Sequence, residues 1–92
     1  MTILAESRKF LTVEVAQNEV IDREFYSDNS FQKLLNPVYF IGAGELEYSH
    51  DGENDWIAGT EVSTDFFSSD VCYPRFMRAT GAGNTKVHFK TL

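Results

Sequence analysis

A chain of 92 residues is one modest domain, and folding buries only about 60–65% of the surface that its unfolded form exposes, so stability is marginal unless subunits share a core. Hydrophobic residues at 42% and aromatics at 14% exclude a disordered composition. Fourteen acidic residues against eight basic ones give a net charge of −6, which repels phosphate backbones and argues against nucleic acid as a partner, and the single cysteine, Cys72, excludes both an intrachain disulfide and a zinc finger.

Residues 1–10 lack a charged segment followed by a long apolar run, and no stretch reaches the roughly 20 apolar residues of a membrane span, so the expectation is a soluble protein with no signal peptide and no membrane partner. Ile3, Leu4 and Phe10 stand among polar residues there, which fits either an N-terminal arm that orders on contact or an ordinary first strand. Leu11, Val13 and Val15 then alternate with Thr12 and Glu14, the pattern of a half-buried strand. Gln17-Asn18 reads as a tight hairpin turn into a second strand over 19–26, with Ile21 and Phe25 on one face and Asp22 and Glu24 on the other. Ser27 to Ser30 is a turn cluster, and Asp28 or Ser30 can cap one helical turn over Phe31, Leu34 and Leu35 before Asn36-Pro37 stops it.

Val38-Tyr39-Phe40-Ile41, bounded by Pro37 and Gly42, predicts a strand buried on both faces. Residues 44–49 alternate again, Leu46 and Tyr48 inward and Glu45, Glu47 and Ser49 outward. The polar loop from His50 to Asp55, with Asp51-Gly52 at its start and Trp56-Ile57-Ala58 after it, is the clearest hairpin. Val62 and Phe66 lie in a further mixed run. A strand follows over 71–79, where Pro74 argues for a sheet edge or a bulge. After the turn at 80–84 the last strand points Val87 and Phe89 inward and Lys86, His88 and Lys90 outward. Seven or eight strands at intervals of about ten residues, with at most one helical turn, predict a single all-β domain over residues 1–92. Its architecture is a small antiparallel β-sandwich, jelly-roll or immunoglobulin-like.

Candidate chemistry is sparse. Gly42-Ala43-Gly44 has the start of a dinucleotide fingerprint, but Glu47 occupies the third glycine position, and a turn between strands explains the pair. Asp51, Glu53 and Asp55 alternate as calcium-loop ligands do, yet Trp56 and Val62 take the glycine and twelfth positions of that motif, leaving a solvated hairpin tip. His50 and His88 are not at ligand spacing, and Cys72 between Val71 and Tyr73 reads as a small buried hydrophobe. The expectation is a protein that is not an enzyme and carries neither metal nor cofactor. Phe66-Phe67 must send one ring away from its sheet's core face, and Tyr73 and Met77 oppose Phe76 on the strand 73–78, so both faces carry bulk that a neighbouring subunit can cover. Ile3, Leu4, Phe10, Phe66, Phe67 and Tyr73 are therefore the interface residues proposed from sequence.

The order of three segments, 47–56 (EYSHDGENDW), 73–79 (YPRFMRA) and the Gly81-Ala82-Gly83 turn into Val87-His88-Phe89, resembles small β-sandwich modules in structural proteins of tailed phages. The resemblance covers 44–89, with one extra residue before the tryptophan. Physically it describes folding: Asp51-Gly52 turns, Trp56 anchors the core, and Gly81 and Gly83 supply positive φ. What it implies is a virion protein of the capsid decoration or cement type, made in the host cytoplasm and complete from Met1. Such a protein binds the major capsid or another virion protein as a homo-oligomer, a trimer being favoured, and stabilises the shell by binding its assembled state. A glycan-binding or tail-appendage module, stacking sugars on an exposed Trp56 or tyrosine, is the alternative. A third reading, an acidic inhibitor mimicking phosphates, requires carboxylates gathered on one face, whereas they are scattered from Glu6 to Asp70.

Overall fold

The computed structural model describes residues 1–27, 30–59 and 74–91, with 25–27, 30–32 and 36 as backbone alone. Among the described residues there are nine strands and no helix. They are β1 (Thr2–Glu6), β2 (Phe10–Val15), β3 (Ile21–Asp22), β4 (Glu24–Ser27), β5 (Ser30–Ile41), β6 (Leu46–Ser49), β7 (Ile57–Ala58), β8 (Phe76–Ala79) and β9 (Thr85–Thr91). They form two antiparallel sheets, ordered β1-β2-β9-β5-β4 and β3-β8-β6-β7. The protein is all-β, as its spacing predicts.

The two sheets share one core. Leu11, Val13 and Val15 of β2, Leu34 of β5, and Val87 and Phe89 of β9 meet Ile21, Leu46, Tyr48, Met77 and Ala79 of the other sheet, all buried. Two strands behave as alternation dictates: β2 opposes β9 in register from Phe10↔Lys90 to Val15↔Thr85, so the inward residues of each strand lie beside those of the other. The β6–β7 hairpin also forms, with Tyr48 opposite Ile57.

Several expectations change. Residues 2–6 form an edge strand, β1, paired with β2 and with every side chain exposed, one of the two forms left open for this segment. Gln17-Asn18 is not a hairpin: Asn18 turns at a φ of 60°, its amide donates to the Ala79 carbonyl (2.8 Å), and the chain passes from the five-stranded sheet into β3 of the other. The run 19–26 divides at Arg23 into β3 and β4, which belong to opposite sheets. No helical turn covers Phe31, Leu34 and Leu35, since β5 runs extended through all three. Pairing with β4 and β9 satisfies the backbone while Leu34 reaches the core. Pro37 lies inside β5 where the register to β9 shifts on either side of it, the place where a missing donor is tolerated. Pro74, by contrast, precedes β8, an interior strand of its sheet.

Val38 to Ile41 is not buried on both faces: the four are 55%, 48%, 37% and 62% exposed. An apolar run needs a layer over each face to be buried, and among the described residues the one other sheet packs on the core side. Trp56 is half-buried outside the core. Ser49 faces inward, its hydroxyl donating to the Asn54 carbonyl (2.6 Å) and accepting from the Gly52 amide (3.2 Å). Gly83 has the positive φ expected of it, 81°, but Gly81 is needed for proximity, because a Cβ there would stand 1.8 Å from the Ala43 oxygen.

Candidate functional site

Among the described residues, most of the exposed large apolar side chains belong to the five-stranded sheet: Ile3, Leu4, Phe10 and Val38 to Ile41. Register decides which ones meet: β9 places His88 opposite Thr12 of β2 on one side and Tyr39 of β5 on the other. Tyr39 stacks on the imidazole (centroids 4.9 Å, 11° between planes), and Phe10 lies 5.4 Å from it at a tilt. Thr12 Oγ1 is 2.7 Å from His88 Nδ1, which fixes the ring between the two aromatics. A hydroxyl beside an imidazole is half of a nucleophile–base pair. With Tyr39 stacked on one side and Phe10 tilted on the other, the imidazole is held in a fixed orientation and serves as a rigid platform.

Beside this platform opens a groove of about 690 Å³, lined by Arg8, Lys9, Phe10, Leu35, Val38, His88, Lys90 and Thr91. Its floor is apolar, from Phe10, Leu35 and Val38; Thr91 Oγ1 donates to the Arg8 carbonyl (3.0 Å) and its amide to the Lys9 carbonyl (2.9 Å), closing the rim. The rim is basic. The side-chain ion pairs among the described residues bind Arg75 to Asp22 and Glu24, and Arg78 to Glu47, and none takes Arg8, Lys9 or Lys90. Three cations with no carboxylate partner among the described residues thus border one apolar groove in an acidic protein. The size and the apolar floor with a few polar groups match those of ligand sites in general.

Of the interface residues proposed from sequence, Phe10 is part of this groove. Ile3 and Leu4 are exposed on β1, 43% and 46%, outside its lining. Phe66, Phe67 and Tyr73, and with them Cys72 and Val62, lie outside the described residues. Sequence reasoning missed the groove because Phe10 and His88 meet only through the β2–β9 register. The available signal was the outward Lys86-x-His88-x-Lys90 alternation next to an exposed phenylalanine.

The 51–55 loop is built around Asp51. Its Oδ1 accepts from the amides of Glu53 and Asn54, each at 2.9 Å, and these bonds hold the carboxyl well below the usual carboxylate range. Asp51 thus organises the turn with its own oxygens, and among the described residues no cluster of three or more His, Cys, Asp or Glu is placed to hold a metal ion. Asp22 is lowered as well, first by its hydrogen bond from Arg75 (2.8 Å). Both shifts have one sign. A carboxyl whose pKa falls on folding contributes stability that is complete above its unfolded value, near pH 4, and is lost as pH falls through the folded value. The melting temperature is expected to be flat from neutral pH to about 5 and to drop below about pH 4. Asp51→Asn should melt lower than the wild type near neutral pH, with the gap closing in acid. A gap independent of pH would remove the carboxylate from the explanation.

Trp56 lies against the outer face of the other sheet. The Arg78 guanidinium sits 4.1 Å from its ring centroid and is itself held by Glu47 (2.8 Å), so one face of the indole is occupied. No helix of the described residues is long and apolar enough to cross a membrane. Comparison of the chain with protein-family models, with curated proteins and with solved structures finds no match in any of the three.

Proposed function

We propose that the chain is a non-enzymatic structural protein of a phage virion, a capsid decoration or cement protein that binds a shell protein through the outward face of its five-stranded sheet and acts as a homo-oligomer. The observation that carries the binding role is the run Val38 to Ile41, apolar residues 37–62% exposed at the C-terminal end of β5, of which Tyr39 and Ile41 pair with His88 and Lys86 on the outward face. A monomer that leaves such a patch in water is prone to associate, and burying it against a partner turns that liability into affinity. The phage assignment rests on the resemblance of residues 44–89, and the rigid Phe10–His88–Tyr39 platform supports a docking face with little ordering cost. The alternative, a glycan module, loses one face of its principal platform to Arg78.

The test is to image purified particles with and without the protein, and to titrate it onto stripped shells. The substitution Ile41→Ser should change folding stability by no more than about 1 kcal/mol, as exposed positions do, while occupancy on the particle falls at least tenfold. Unchanged occupancy would move the docking face elsewhere. Failure of the wild type to bind any virion component would end the proposal.

A further inference from the structure

The groove beside Phe10 combines an apolar floor with a rim of one sign, Arg8, Lys9 and Lys90, inside a chain of net charge −6. A complementary element stands on the same chain. In the hairpin between β6 and β7, Asp51 is committed to the turn, but Glu53 and Asp55 are exposed and make no ion pair among the described residues. Ile57, 38% exposed, stands two residues after Asp55, beyond Trp56. Carboxylates followed by a part-exposed apolar side chain are complementary in charge and polarity to a groove with an apolar floor and a basic rim. One copy does not serve itself, because the groove opens on the outward face of the five-stranded sheet while the hairpin belongs to the other sheet.

The geometry points to a docking site for a second copy of this chain: the groove of one subunit takes the acidic hairpin of the next. Ile57 lies on the floor made by Phe10, Leu35 and Val38, and Glu53 and Asp55 face Lys9, Lys90 and Arg8. Donor and acceptor are different patches, so the contact is heterologous, and its repetition round a closed ring makes a cyclic oligomer, of which a ring of three is one. This deepens the reading of the protein as an oligomeric binding module and rests on it.

The experiment is sedimentation of the intact protein over a range of concentrations and salt, with three variants. Lys9→Glu with Lys90→Glu inverts the groove. Glu53→Lys with Asp55→Asn inverts the hairpin, asparagine being chosen because Asp55 sits at a φ of 55° that suits it. The third variant carries all four changes. All four positions are exposed, and melting temperatures confirm folding. The wild type is expected to associate, more weakly as salt rises. Each paired variant should raise the dissociation constant at least about tenfold, and the fourfold variant should recover most of the loss. A fourfold variant no better than the pairs would show that the groove does not hold this hairpin. A wild type that stays monomeric at every concentration overturns the inference, and particle binding by that monomer would leave the proposed function standing.

Discussion

Replacing Arg23 with methionine is expected to cost about 3–5 kcal/mol, a large share of the 5–15 kcal/mol that holds a typical domain folded. Arg23 is 1% exposed and stands where the chain leaves β3 in one sheet for β4 in the other. Its backbone spans the gap: the amide donates to the Arg75 carbonyl (2.9 Å) beside β8, and the carbonyl accepts from the Leu34 amide (2.7 Å) in β5. The side chain repeats the connection, Nε donating to the Leu34 carbonyl (3.1 Å) and Nη1 to that of Pro74 (2.9 Å). The guanidinium also lies 5.8 Å from the centroid of the Tyr48 ring, whose hydroxyl is pushed up to about 12 by burial, the Arg23 charge acting in the opposite direction. Methionine fills similar volume and keeps the backbone bonds, but leaves two carbonyls without their donors inside the sandwich, at about 1–3 kcal/mol each. Lysine retains the charge without the planar fork and should fall between. Denaturant titration of the three proteins checks this. A methionine variant within about 1 kcal/mol of the wild type would mean that the inter-sheet bonds contribute no net stability.

That arginine also shows where sequence reasoning stops. Alternation through Ile21 and Phe25 places residue 23 on the inward face, so its burial was legible in principle, but only the division of the run into strands of opposite sheets explains why a cation belongs there. β2 and β9, and β6 up to Tyr48, were readable because a period of two reports a one-sided environment directly. β5 was not. Phe31, Leu34 and Leu35 carry helical spacing, and Leu34 reaches the core from an extended backbone as well, so the hydrophobic pattern cannot separate the two. Val38 to Ile41 misled for a different reason: an apolar run reports what a strand needs, and whether a layer covers it depends on the rest of the fold. The groove depends on a register joining residues 10 and 90, and no local pattern contains that information.

The glycines at the other end of the β8–β9 connection separate two physical effects that look alike in sequence. Both belong to one Gly-Ala-Gly turn, yet Gly81→Ala is expected to cost about 3 kcal/mol or more and Gly83→Ala only about 1–2. Gly83 has a φ of 81° and open space around it, so a methyl group there meets the left-handed backbone penalty alone. Gly81 is pressed against the 42–44 turn, where a Cβ would lie 1.8 Å from the Ala43 oxygen and 2.3 Å from its carbon. Relief requires moving a junction where three sheet-to-sheet passages meet. Thr80 exchanges backbone bonds with Glu45 through its amide (3.0 Å) and through its hydroxyl, which accepts from the Glu45 amide (3.0 Å). From the first passage, Gln17 Nε2 donates to the Thr80 carbonyl (3.0 Å), and the Asn18 amide bonds Ala79. Separating the turns therefore strains all three connections together. For a domain of this size each 1 kcal/mol lowers the melting temperature by about 4–8 °C, so thermal melts of the two variants should differ plainly, with Gly81→Ala far lower. Equal losses would show that the junction yields freely and that left-handed backbone, rather than close approach, is what this turn requires of its glycines.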